Sequence, residues 1–122
     1  MIIKKCMDCG STVRILKDCK CEDCGIKCCD KEMIELKPNE SDGAVEKHKP
    51  TYEVKDGMIY ASVDHVMEDE HYIEWIAICF ESKEVITYLK PGMKAEAHAK
   101  YVKGSKIYSY CNKHGLWLTE VE

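Results

Sequence analysis

The sequence predicts a mainly β protein, in which an antiparallel β-sandwich follows a small cysteine-rich N-terminal segment. Three observations lead to this prediction. Seven of the nine cysteines fall within the first 29 residues, apolar and polar residues alternate with a period of two from Val45 onward, and turn-forming residues separate the two regions. Short alternating segments with turn residues between them are typical of sandwiches. The expected domains are residues 1–37 and residues 38–122.

The N-terminal segment needs something other than a hydrophobic core to hold it together. Residues 1–37 contain few large apolar side chains, and segments this short usually depend on a metal, disulfides or a partner. The cysteine count is odd and no export signal precedes it, which favours metal ligands in a reducing cytoplasm over disulfides. The polar, turn-rich stretch from Lys37 to Gly43 is the predicted linker.

The second region is predicted to consist of short strands. Asp56-Gly57 is a strong two-residue hairpin signal between two alternating segments. Pro91-Gly92 ends a later apolar run, and residues 95–102 fit either a strand or a short helix. The segments predicted as strands cover residues 52–54, 59–63, 72–80, 85–89, 107–110 and 116–118.

Composition excludes several partners. The chain has 18 basic and 22 acidic residues, a net charge of -4, so it is not built to coat a phosphate backbone. No run approaches the roughly 18 apolar residues of a membrane span. Met1-Ile2-Ile3 is too short for a secretory signal and is followed at once by lysines. We therefore expect no nucleic acid and no membrane as partner.

The N-terminal thiols fit a tetrahedral metal site. Cys6 and Cys9 form a C-x-x-C knuckle, and Cys28-Cys29 supplies a second pair. Four thiolates suit zinc, a single iron or an iron–sulfur cluster, and spacing alone leaves these alternatives open. Three further thiols are alternative ligands, cluster ligands or unused: Cys19, Cys21 and Cys24.

Four of the five histidines stand at predicted strand ends or loops together with a ninth cysteine. A lone histidine is more often a surface or core residue, which is the interpretation kept for His98. Four imidazoles and one thiolate make a mixed nitrogen and sulfur site that leaves an octahedral metal one open position for a small anion. The candidate ligands are His48, His65, His71, Cys111 and His114.

Three sequence blocks, in order from about Asp42 to Trp117, resemble the signatures of the superoxide reductases, the desulfoferrodoxin and neelaredoxin family. They are Glu46-Lys47-His48-x-Pro50, His65-x-Met67-Glu68-x-x-His71-x-Ile73-Glu74-Trp75-Ile76 and Cys111-Asn112-x-His114-Gly115-x-Trp117. The resemblance implies a seven-stranded immunoglobulin-like sandwich that holds one non-haem iron. By motif position, Cys111 is the axial ligand, and the four histidines are equatorial, with His114 binding through Nδ1 and the others through Nε2. One departure is Val66, where the family usually has proline.

The same resemblance implies one-electron reduction of superoxide to hydrogen peroxide. Two catalytic residues follow from it: Glu46, which can occupy the sixth iron position in the oxidised enzyme, and Lys47, which attracts superoxide and assists its protonation. Lys49 and Lys113 add positive charge beside other ligand positions. Rubredoxin or another small electron carrier is the expected donor, and a homo-oligomer, a dimer or a tetramer, is the expected assembly.

The N-terminal segment resembles the desulforedoxin module of two-centre members, in which Cys6, Cys9, Cys28 and Cys29 match the ligands of a single iron. The connecting hairpin differs, because the family module has no thiols there. The chain also resembles the methanoferrodoxins, whose N-terminal centre is a 4Fe–4S cluster, and its surplus thiols favour a cluster over a single iron and either over zinc. Two rival functions remain: an electron-transfer protein with saturated iron, and a zinc-ribbon interaction module.

Overall fold

A computed structural model of the chain describes residues 1–41 and 43–122. Asp42, in the predicted linker, lies outside the described residues. The described chain divides into two compact units, Met1–Lys37 and Pro38–Glu122. Among the described residues, none of the helices has the length and apolar character needed to cross a membrane.

The first unit contains short antiparallel strands. Strand β1 pairs with β2 on one side and with β5 on the other, while β3 and β4 form a separate hairpin. Its buried apolar residues are few, namely Ile3, Cys6 and Met33. The strands are β1 (Ile2–Lys5), β2 (Thr12–Ile15), β3 (Lys27–Cys28), β4 (Lys31–Glu32) and β5 (Ile34–Glu35).

The second unit is an antiparallel sandwich. One sheet has the order β10-β7-β6 and the other the order β12-β11-β8-β9. These sheets confirm the predicted mainly β class with a cysteine-rich N-terminal segment. The elements are α1 (Val45–His48), β6 (Thr51–Lys55), β7 (Met58–Ser62), β8 (Ile73–Phe80), β9 (Lys83–Tyr88), β10 (Glu96–Lys100), β11 (Lys106–Cys111) and β12 (Gly115–Glu120).

Local sequence signals account for the hairpins. Asp56 and Gly57 link β6 to β7 with φ angles of 53° and 76°, the left-handed pair that a tight type I′ turn requires. The segment that fitted strand or helix is strand β10, which pairs with β7. There Ala97 and Ala99 are buried while their neighbours are exposed, so alternation prevails over helical propensity.

The core lies between the two sheets. Ile59 and Ala61 of β7 belong to the same buried cluster as Ile76 and Ile78 of β8 and Ile107 of β11. Burial of each of these isoleucine side chains contributes about 1.5–3 kcal/mol. The sandwich therefore has an apolar frame of its own on which loops can be positioned.

Two local features shape the end of the sandwich that carries the candidate site. The pairing of β11 with β8 shifts register between Tyr110 and Cys111, a bulge that re-aims the side chain at the strand end. Strand β12 lies at the edge of the same sheet. There, Asn39 of the predicted linker exchanges hydrogen bonds with the backbone of Leu118, at 2.9 and 3.2 Å. Part of the linker is thus fastened to β12.

Candidate metal centres

The structure brings together the four histidines and the cysteine that the sequence predicts as ligands. One donor atom from each side chain lies within 4.8 Å of all the others. The set comprises His48, His65, His71, Cys111 and His114. His98 lies outside it, on β10, where its ring centroid is 6.0 Å from that of Tyr60.

The four imidazole rings form a square. Ring centroids of successive members lie 4.7 Å apart for His48 and His65, 4.6 Å for His65 and His71, 5.1 Å for His71 and His114, and 4.6 Å for His114 and His48. His48 and His71 are 6.4 Å apart, so they stand on a diagonal. Such an order is what four equatorial ligands of one ion need.

The donor distances fit a single ion in the middle of this square. His48 Nε2 lies 3.2 Å from His65 Nε2 and 2.8 Å from His114 Nδ1. Metal–nitrogen bonds of about 2.1 Å at right angles place neighbouring nitrogens about 3.0 Å apart. The spacing of the rings thus corresponds to metal coordination, with His114 presenting Nδ1 and its neighbour His48 presenting Nε2.

Backbone contacts fix which nitrogens are free to coordinate. His48 Nδ1 lies 2.7 Å from the carbonyl oxygen of Ala44, and His65 Nδ1 contacts the carbonyl oxygen of Val66. Each contact requires the proton on Nδ1, which leaves a lone pair on each facing Nε2. Two facing lone pairs repel unless a cation lies between them. The donor set is therefore suited to a metal ion.

The surroundings of His71 also indicate a metal site. Its Nε2 atom is buried and has no hydrogen-bond partner among the described residues. Buried polar atoms are rarely left unpaired, because desolvation without a partner costs about 1–3 kcal/mol. Burial also lowers the pKa of His48, His65 and His71, which keeps these rings neutral and able to coordinate at pH 7.

Cys111 supplies the sulfur donor. Its Sγ atom lies 3.4 Å from His65 Nε2 and 3.9 Å from His114 Nδ1, and the residue is fully buried. Burial raises the pKa of the Cys111 thiol, while the backbone N–H groups of Lys113 and His114 oppose that rise. A buried thiolate beside imidazoles is stable only with a cation to balance its charge.

A short loop places Cys111 and His114 side by side. Cys111 is the last residue of β11, and His114 is the last of the three loop residues before β12. The loop closes at Gly115, whose φ of 78° suits glycine. Gly43 is the other glycine of the site. A Cβ atom there would lie 2.8 Å from Cε1 and Nδ1 of His48 and 2.9 Å from Cβ of His114, so the rings pack directly against its backbone.

Residues outside the ligand set hold its loops together. Asn112 accepts a hydrogen bond from the Tyr72 backbone N–H at 3.0 Å and donates one to the carbonyl oxygen of Glu70 at 2.9 Å. It thereby ties the loop of Cys111 to the loop of His71. This role of Asn112 cannot be predicted from its place in the sequence block, because spacing does not show which loop its amide reaches.

Trp117 and Ser109 position His48. The indole ring of Trp117 stacks on the His48 ring at 5.2 Å and 22°, and its Nε1–H donates to the carbonyl oxygen of His114 at 3.1 Å. Ser109 donates from Oγ to the carbonyl oxygen of His48 at 2.7 Å. The sequence did not predict either role. The one signal it offered was that both residues occupy inward-facing positions of strands, Ser109 on β11 and Trp117 on β12.

Glu46 and Lys47 lie on the short helix α1, directly before His48, and both are exposed. After burial, which is the larger cause, the positive charge of Lys47 also lowers the pKa of His65, and that of Lys113 lowers the pKa of His71. Local positive charge therefore reaches the ligand set despite the net charge of -4.

In the N-terminal unit, Cys6, Cys9, Cys28 and Cys29 also form one group with all sulfur atoms within 4.8 Å. Backbone N–H groups, chiefly that of Cys9, lower the pKa of Cys6 to about 7, although burial opposes the shift. The thiols of Cys9 and Cys6 raise the pKa of Cys28 to about 12. A cation is needed for four such crowded sulfurs to ionise together.

The remaining three N-terminal thiols form a separate group, which we call the hairpin trio: Cys19, Cys21 and Cys24. Cys19 and Cys24 are joined as a disulfide, and Cys21 Sγ lies 3.1 Å from Cys24 Sγ. The odd cysteine count favoured metal ligands over disulfides in this segment, and the Cys19–Cys24 disulfide departs from that expectation. A role for these thiols as alternative ligands of the N-terminal centre stays a prediction.

Comparisons with known proteins identify the family of this chain. A sequence model of the desulfoferrodoxin family matches residues 40–120. A desulfoferrodoxin of Syntrophotalea carbinolica is 40% identical over 97% of this chain and 94% of its own, and one of Nitratidesulfovibrio vulgaris is 37% identical over the same shares. The crystal structure of a superoxide reductase from Treponema pallidum shares the fold with a TM-score of 0.71 at 20% identity, covering 96% of this chain and 98% of that one. The chain belongs to the desulfoferrodoxin family of superoxide reductases.

Proposed function

We propose that this protein reduces superoxide to hydrogen peroxide, taking up one electron and two protons per superoxide. The observation that carries the proposal is the square of His48, His65, His71 and His114 with Cys111 beside it. Five donors leave a sixth position for a small anion. Family membership supports superoxide as that anion.

Non-haem iron bound by these five donors would supply the electron for the reaction. Cys111 contributes a buried thiolate, whose charge the backbone N–H groups of Lys113 and His114 help to stabilise. Lys47 and Lys113 provide the positive charge that attracts superoxide, and Lys47 is exposed to water that can deliver protons. Glu46 is the carboxylate we assign to the sixth position of the oxidised site.

Replacing the sulfur donor tests this proposal. We expect Cys111→Ser to abolish superoxide reduction in pulse radiolysis of the iron-loaded protein, while Cys79→Ser, a substitution on β8 outside the site, retains it. His48→Ala and His98→Ala form a second pair with the same expected contrast. A Cys111→Ser protein that reacts at the parental rate would rule out this site as the catalytic centre.

Azide binding separates the proposal from an electron-transfer protein with saturated iron. A site with an open position changes its visible spectrum when azide is added to the oxidised protein, and we expect Glu46→Ala to strengthen that response. The electron donor is proposed to be rubredoxin or another small carrier. Reoxidation of reduced rubredoxin in the presence of superoxide and this protein measures that step.

We also propose that Cys6, Cys9, Cys28 and Cys29 hold a single iron. Cys9 Sγ lies 3.6 Å from Cys28 Sγ, and Cys28 Sγ lies 3.8 Å from Cys29 Sγ. A tetrahedron with metal–sulfur bonds of about 2.3 Å has edges of about 3.8 Å. A 4Fe–4S cluster, which the surplus thiols favoured, attaches each ligand to a different iron and spreads the sulfurs further apart.

Iron and sulfide analysis distinguishes these centres. With a single N-terminal iron we expect about two irons per chain and no labile sulfide, whereas a 4Fe–4S cluster would give about five irons and four sulfides. Zinc in this unit would give one iron and one zinc, and a protein without the colour of a four-sulfur iron centre.

A further inference from the structure

The hairpin trio, Cys19, Cys21 and Cys24, has no part in the metal sites proposed above. We infer that it is a separate thiol–disulfide redox site, which hydrogen peroxide oxidises and small or protein thiols reduce. The oxidant is the product of the proposed function, and to that extent the inference rests on it. Of the groups in this protein, the oxidation and the exchange of disulfide partners require only the three sulfur atoms.

The grouping of sulfur atoms separates the trio from the N-terminal metal site. The four thiols Cys6, Cys9, Cys28 and Cys29 already supply every ligand that a tetrahedral ion takes. The trio has only three, and two of them are joined to each other. A disulfide sulfur carries no negative charge and is not a thiolate ligand.

Cys24 is the sulfur that the other two share. It is bonded to Cys19, across a Cα–Cα distance of 6.2 Å that lies within the usual range for disulfides. It is also 3.1 Å from the thiol of Cys21, with which it forms the sequence C-x-x-C. Cys24 therefore takes part in both the disulfide and the close sulfur contact of the trio.

The site is open to small reagents. Cys19 and Cys21 are exposed and Cys24 is half-buried. The trio lines a hollow of about 300 Å³ together with Lys4, Lys17 and Asp18. Hydrogen peroxide and a small thiol both fit such a space. The thiols of the trio are therefore accessible to these reagents, whereas a thiol packed in the sandwich core is not.

The oxidation balances without a further reagent. One thiolate attacks peroxide, forming a sulfenic acid and releasing hydroxide, which takes a proton to become water. A second thiol displaces the sulfenic oxygen as another water and closes the disulfide, so two thiols and one peroxide give one disulfide and two waters. After losing its proton to water, the Cys21 thiolate can attack Cys24 and break the bond to Cys19, whose thiolate leaves and takes up a proton from water.

The test uses the full-length, iron-loaded protein, reduced with dithiothreitol, freed of it and treated with hydrogen peroxide. We expect non-reducing peptide mapping to show one disulfide per chain between Cys24 and either Cys19 or Cys21, with a mass loss of two hydrogens that dithiothreitol reverses. Cys24→Ser should lose that disulfide, whereas Cys79→Ser should keep it. Iron content should be the same in all these proteins.

Two results would overturn the inference. One is a trio that stays in the thiol form after peroxide treatment. The other is a loss of N-terminal iron in Cys24→Ser, which would make the trio part of the metal centre. Because peroxide is added directly and superoxide reduction is measured separately by pulse radiolysis, failure of the trio and failure of the proposed function give different results.

Discussion

The two candidate metal centres differ in what holds their ligands in place. In the sandwich, His48 and Cys111 are buried and lie on elements that pack on a core of fully buried residues such as Ile76 and Ile107. In the N-terminal unit only Ile3, Cys6 and Met33 are buried apolar residues among those the structure describes. The fold positions the sandwich centre, whereas the metal has to hold together the N-terminal unit.

The largest expected difference between the two units is in their stability once both metals are removed. Structural metals in small thiolate domains contribute about 10–16 kcal/mol to folding at pH 7. Under reducing conditions we expect chelation to leave the amides of β1 exchanging at close to unfolded rates. The amides of β11 should keep their protection, because the sandwich core remains. Hydrogen-exchange mass spectrometry measures both in one sample.

The control for that experiment is the protein reloaded with iron, which should recover slow exchange in β1. Equal loss of protection in β1 and β11 would contradict the comparison. So would protection of β1 that survives demetallation, since the N-terminal unit would then be stable by burial alone.

A core substitution should destabilise the sandwich by the next largest amount. Ile76 is fully buried between the sheets, so Ile76→Ala removes apolar contacts and leaves a cavity. We expect a loss of about 2–5 kcal/mol in the free energy of unfolding, measured with urea. Ile34→Ala in the N-terminal unit, at 54% exposure, should change it by less than about 0.5 kcal/mol. Equal effects would refute the assignment of the core.

Gly43→Ala should disturb the histidine site without removing a ligand. The added methyl group would collide with the His48 ring and with Cβ of His114. Outer-shell changes of this kind typically cost about 10–100-fold in metal affinity, which competition with a chelator measures. The matched change Gly25→Ala meets the flexible carboxylate of Glu32 instead and should leave that affinity unaltered. Parental affinity in Gly43→Ala would show that its backbone does not constrain the rings.

The smallest expected effect concerns charge around the sandwich site. Lys47→Ala should slow the reaction with superoxide on the order of threefold at low salt, because steering by one exposed charge is modest and screened. The dependence on ionic strength should also weaken. Lys55→Ala makes the same charge change on the distant β6–β7 hairpin and should leave the rate alone. Rates equal to the parental ones at every salt concentration would make Lys47 an ordinary surface lysine.

Much of this architecture can be predicted from local sequence. Alternation predicted the strands because one face of a sandwich strand packs on the core and the other is exposed to water. Asp56-Gly57 predicted its hairpin because few residue pairs accept two left-handed φ angles in succession. The placement of the five sandwich donors at predicted strand ends and loops, together with the family resemblance, predicted that they form one site. It did not predict the order of the rings around the square, which follows from the bulge at Cys111 and from backbone contacts that form only in the folded chain.

The N-terminal thiols show where local sequence stops being informative. Seven cysteines within 29 residues allow many groupings. The knuckle and the adjacent pair favoured one set of four, but spacing left the hairpin trio open as alternative ligands. The choice comes from a hairpin whose turn holds Cys29 and Asp30 at φ angles of 55° and 59°, which carries Cys28 and Cys29 to Cys6 and Cys9. The anchoring of Asn39 on β12 was missed for a similar reason, since a polar linker and a strand-edge cap have the same composition.

X-ray absorption at the iron edge tests the central claim most directly. In a Cys9→Ser, Cys28→Ser protein, which lacks two ligands of the N-terminal centre, the remaining iron should show four nitrogen donors and one sulfur donor. Adding Cys111→Ser should remove the sulfur and leave the nitrogens. An iron with no sulfur neighbour before that change, or a sulfur neighbour that persists after it, would contradict the assignment of the site.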